Sequence, residues 1–117
     1  MSESHHTLQS FRHFREKMNA AILEAGNLTV NRFFALDTRT YEAGALPVKT
    51  KELLGLVASM VLRCDDCITY HLIRCREEGV TDAEFYDAFA VALVVGGSIV
   101  IPHLRRTVAR LEELPAT

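Results

Sequence analysis

"RCDDCITYHLIRCREEG", residues 63–79, is the stretch whose reading decides the fold. Wound as a helix, it sets Cys64, Cys67, His71 and Cys75 at relative angles of about 0°, 300°, 340° and 20°, a single narrow stripe. Asp65 and Asp66 stand in the first turn, where carboxylates suit the positive end of a helix. Gly79 ends it. No alternation of the kind a strand needs is present here or elsewhere in the chain.

Working outward, the same period continues on both sides. Pro47 opens the preceding helix, which carries Leu53, Leu54, Leu56, Val57, Met60 and Val61. Its apolar surface is wide, which predicts burial on most sides, and Glu52 is the exception on it. After Gly79, "TDAE" at 81–84 is a capping-box pattern that starts a helix through Val95. Gly96-Gly97 breaks that helix. Ser98 is the expected cap of a last helix to about Glu113, with Pro102 tolerated in or near its first turn. Toward the N-terminus, Leu8, Phe11, Met18 and Ile22 mark a helix stopped at Gly26-Asn27. A further helix over about 29–42 carries Val30, Phe33, Phe34, Leu36 and Tyr41, and "AGALP" at 43–47 is the turn after it. The expectation is an all-α fold, a compact bundle of about six helices, with residues 1–117 as one domain.

Composition narrows the function classes. A net charge of −2 with no basic block argues against nucleic acid and against a membrane surface as partner. The most apolar run, Phe89 to Pro102, is about half a membrane span and holds a Gly-Gly pair, so it reads as core. Residues 1–7 lack the regions of a secretory signal, which points to the cytosol. His5 and His6 read as a frayed end rather than a metal site.

In a reducing compartment, cysteines three apart suggest a metal site or a reactive thiol pair, beside ordinary packing. Metal fits poorly. From Cys64 to Cys75 the helix rises ~16 Å, and ligands strung along it cannot all stand ~2.3 Å from one zinc ion. A thiol pair asks less. Cysteines at i and i+3 can close a disulfide when the first sits at a helix start. The helix N-terminus stabilises thiolate, the reactive form, and favours Cys64. His71, one turn past Cys67, favours Cys67. The residues alone leave open which sulfur attacks. Glu52, in "KELLGLVASM", is either a solvated helix residue or a buried carboxyl fit for proton chemistry. Cys75 reads as core packing, and His13 and His103 as surface or packing residues.

Glu52, eleven intervening residues, Cys64-Asp65-Asp66-Cys67, three more, then His71: this spacing resembles the signature of the alkylhydroperoxidase D-like branch of the carboxymuconolactone decarboxylase family. The resemblance spans roughly residues 47–104, including "GVTDAEFYDAFAVALVVGG". It implies an all-helical subunit that assembles into a homo-oligomer, a trimer or hexamer. It also implies reduction of small organic peroxides by a dithiol, with an external dithiol as electron donor and no cofactor or metal. On that resemblance Cys67 attacks, Cys64 resolves, and Glu52 and His71 form the proton relay. Asp66 stands where the best-known alkylhydroperoxidases have histidine, and an acidic neighbour disfavours the thiolate. A decarboxylase-like enzyme and a non-enzymatic redox-sensing oligomer are the competing readings.

Overall fold

The helical spacing is realised in a computed structural model that describes residues 7–116. His5 and His6 lie outside the described residues. Six α-helices and no strand occur among those described. They fall into two compact units, one ending at Ala43 and one beginning at Gly44.

The first unit holds α1 (Leu8–Glu24) and α2 (Leu28–Thr40). Thr7 caps α1 by accepting from the Ser10 N–H. Asn27, expected to help end α1, instead caps α2: its Oδ1 accepts from the Val30 N–H at 3.0 Å. Gly26, at φ +75°, makes the turn alone. An Asn side chain placed just before a helix serves the orphan N–H groups better than it serves the carbonyls behind it.

The second unit holds α3 (Val48–Leu62), α4 (Asp65–Glu77), α5 (Asp82–Gly96) and α6 (Ile101–Glu113). Helix α3 packs on α4 and α5, and α4 packs on α6. Leu56, Met60, Ile68, Leu72, Phe85 and Phe89 lie at the centre of its core. Burying side chains of this kind contributes about 1.5–3 kcal/mol each before entropy is counted.

Two joints position the cysteines. Arg63 ends α3 in the left-handed conformation at φ 61°, and the Cys64 N–H donates to the Ser59 carbonyl at 3.0 Å. This reversal delivers Cys64 to the start of α4. At the other end, Arg76 Nη1 donates to the Val80 carbonyl at 2.8 Å and the guanidinium lies 5.2 Å from the Phe85 ring centre. The capping box at Thr81 and Glu84 is present as expected.

One expected element differs. Ser98 does not cap the last helix; Ser98–Val100 is a single 3-10 turn, and α6 starts at Ile101. The reason is Pro102. A ladder begun at Ser98 would need the N–H of residue 102 for the Ser98 carbonyl, and proline has none. Among the described residues, no helix is long and apolar enough to cross a membrane.

Candidate active site

The sulfurs come first. Cys64 is the N-cap of α4, and its Sγ accepts from the Cys67 N–H at 3.2 Å. Cys64 and Cys67 are joined as a disulfide with their Cα atoms 5.3 Å apart, inside the range such a bond requires. Cys64 is half-buried and Cys67 is exposed, so solvent reaches the pair.

Behind them lies a buried polar group. Glu52, on α3, is 1% exposed. A carboxyl in such a place needs partners. His71 supplies one: its Nδ1 stands 2.8 Å from Glu52 Oε1. Arg74, one turn further along α4, places Nε 3.5 Å from Oε2. Both oxygens of Glu52 therefore face α4. A proton on His71 Nδ1 is held by the carboxyl. Arg74 is also held by Glu77, whose hydrogen bond, ahead of the charge on Glu52, raises the guanidinium pKa.

His71 is close to α3 because residue 55 is glycine. A Cβ at Gly55 would stand 2.7 Å from Cε1 and 2.8 Å from Nε2 of the imidazole. The ring occupies the space that any other residue would fill. Gly55 lies three residues after Glu52, so one turn of α3 supplies both the carboxyl and the gap.

Of the four residues expected to share a site, Cys64 and Cys67 stand at the start of α4 and are joined, His71 lies one turn on, and Glu52 meets His71 from the preceding helix. Cys75 is set apart. It is a free, fully buried thiol, and burial, followed by the charge of Glu52, pushes its pKa up to about 12. That is core packing, as its place on the stripe allowed.

Three contributors escaped sequence reading. Arg74 and Gly55 carry no motif; the signal was their one-turn spacing from His71 and Glu52. His103, expected at the surface or in packing, has a defined partner instead: its Nδ1 stands 2.7 Å from Asp65 Oδ1, on the residue after Cys64. That pairing joins positions 38 apart in the chain, beyond any local pattern. Among the described residues, no three or more His, Cys, Asp or Glu side chains gather as a metal ion would require.

Comparison with known proteins agrees with this architecture. The sequence profile of the carboxymuconolactone decarboxylase family matches residues 27–109. Protein 4 in the cox locus of Paracoccus denitrificans is 31% identical over 101 residues, covering 84% of this chain and 91% of that one. A crystal structure from Thermotoga maritima superposes with a TM-score of 0.87 at 59% identity, covering 90% of this chain and 92% of that one. A second Thermotoga maritima structure, also 59% identical, scores 0.85 and covers 89% and 88% of the two chains; it is described as a carboxymuconolactone decarboxylase family protein for which a part in the antioxidative response has been suggested. A family protein from Legionella pneumophila, 21% identical, shares the fold with a TM-score of 0.76 over 89% of this chain and 96% of that one.

Proposed function

The chain belongs to the carboxymuconolactone decarboxylase family, and from that premise we propose that it is a thiol-dependent hydroperoxide reductase of the alkylhydroperoxidase D-like kind. One observation carries the reading: a buried Glu52–His71 pair stands one helical turn from a cysteine pair close enough to be joined. A purely structural disulfide has no use for a carboxyl and an imidazole held behind it. The antioxidative role suggested for the Thermotoga maritima relative supports the same reading.

The reaction divides into four balanced steps. His71, steadied by Glu52, takes the proton of the Cys67 thiol, directly or through water. The thiolate attacks the outer oxygen of the hydroperoxide; the O–O bond breaks, the alkoxide leaves with that proton as an alcohol, and Cys67 becomes a sulfenic acid. The Cys64 thiolate then attacks the Cys67 sulfur. An S–S bond forms, the S–O bond breaks, and hydroxide leaves to become water with the proton from Cys64. An external dithiol reduces the disulfide by exchange and is itself oxidised. Small organic hydroperoxides are the substrate class. The acting form is a cytosolic homo-oligomer, in which subunit contacts cover apolar surface.

The test is turnover of cumene hydroperoxide with dithiothreitol. We expect Cys67→Ser to reduce it to the rate of dithiothreitol alone and Cys75→Ser to leave it intact. His71→Gln should lower it by about 10²–10⁴-fold, the range for a lost proton-transfer group, and Glu52→Gln should lower it by less. Decarboxylation or lactone turnover that survives loss of both Cys64 and Cys67 and depends on Glu52 or His71 would favour the decarboxylase-like reading. Reversible Cys64–Cys67 oxidation with no turnover would favour a sensor.

A further inference from the structure

A second set of charged groups meets the start of α4, and the chemistry above does not use it. Asp65 is the first residue of that helix and follows Cys64 directly. Its Oδ1 pairs with His103 Nδ1 at 2.7 Å, and its Oδ2 accepts from Arg106 Nε at 2.9 Å. Both partners come from α6, one turn apart. Arg106 Nη2 also lies 3.3 Å from His103 Nδ1. A nitrogen that donates to a carboxylate cannot also accept, so the shorter contact places the proton on Nδ1. Thr107, buried beside them, donates to the His103 carbonyl at 2.7 Å. Of the other charged neighbours, Asp66 and Arg63 are both exposed.

We propose that Arg106 and His103 are positioning residues for Cys64: they hold and neutralise Asp65, fixing the resolving sulfur in register and sparing its thiolate an adjacent negative charge. The inference rests on the reading of Cys64 as the resolving thiol. Resolution requires Cys64 to lose its proton before it attacks Cys67. A bare carboxylate on the next residue opposes that loss, since like charges disfavour ionisation. The Arg106 guanidinium on Oδ2 cancels this opposition, and the His103 ring on Oδ1 ties down the other oxygen of the carboxylate. The geometry also bears on the reduced state. Once the S–S bond opens, Cys64 and Cys67 are no longer tied, and the two contacts from α6 to Asp65 persist to keep the first turn in place.

The test reads Cys64 directly and uses no peroxide. In the full chain carrying Cys67→Ser and Cys75→Ser, Cys64 is the one remaining cysteine of three. Its alkylation rate by iodoacetamide is followed against pH. Arg106→Ala should raise the midpoint by about one pH unit. Asp65→Asn should lower it, because the cations then act unopposed, and the two changes together should return it toward the parent. A midpoint unmoved by Arg106→Ala, even with a lower melting temperature, makes the cluster a plain anchor and overturns the proposal. So does a midpoint that Asp65→Asn leaves unchanged or raises. Absence of peroxide turnover in the unmodified protein would sink the peroxidase reading and leave this titration standing.

Discussion

At the scale of single residues, the decisive one has no side chain. Gly55 admits the imidazole of His71 to the surface of α3, where a Cβ would meet the ring at under 3 Å. Adding a methyl group there forces the ring away or the helices apart, and overpacking of this kind costs about 1–3 kcal/mol. Gly55→Ala should therefore lower the melting temperature and, more tellingly, lower peroxide turnover by loosening the Glu52–His71 contact. Wild-type turnover in a folded Gly55→Ala protein would mean that the contact is not used in the chemistry. The measurement is steady-state kinetics beside thermal unfolding of the same preparation.

At the scale of an element, α5 shows how a cap becomes a pH effect. The Glu84 Oε1 accepts from the Thr81 N–H at 2.9 Å, and Lys49 Nζ lies 3.0 Å from its Oε2. The Thr81 backbone bond first, and Lys49 second, hold the Glu84 pKa below its ordinary value. A carboxyl whose pKa is depressed by folding stabilises the fold above its unfolded pKa, and this contribution is lost as pH falls through the folded value. Wild type should therefore melt above Glu84→Gln at neutral pH, and the gap should close under acid, below the carboxylate range. A gap constant from neutral pH to acid would show that the charge is not involved. Thr81→Ala removes the other half of the box and should cost about 1 kcal/mol at any pH.

At the scale of the molecule, much apolar surface remains uncovered. In the second unit Val94 is 86% exposed, Leu62 77% and Val95 67%; in the first, Phe33 is 65% exposed. Single exposed apolar residues are ordinary, but several large ones on so small a protein are what an obligate assembly buries. Sedimentation should give a species several times the 13.1 kDa of one chain. Val94→Asp should shift it toward the monomer. A wild-type monomer at micromolar concentration would remove the oligomer from the proposal.

The sequence by itself determined the helices and the order of the reactive groups along them. Helical period, caps and glycines are local, so α4 with its stripe of Cys64, Cys67, His71 and Cys75 was readable before any packing was known. The pattern was weakest where a local signal had two uses: Asn27 served the helix after it, and Pro102 denied Ser98 its place as a cap. Only the tertiary structure decided which groups meet. It buried Glu52 against His71 through the gap at Gly55, gave the second carboxyl oxygen to Arg74, and brought His103 and Arg106 from α6 to Asp65. Such meetings depend on how helices cross, which is set by the fit of whole surfaces, and no short run of residues encodes that fit.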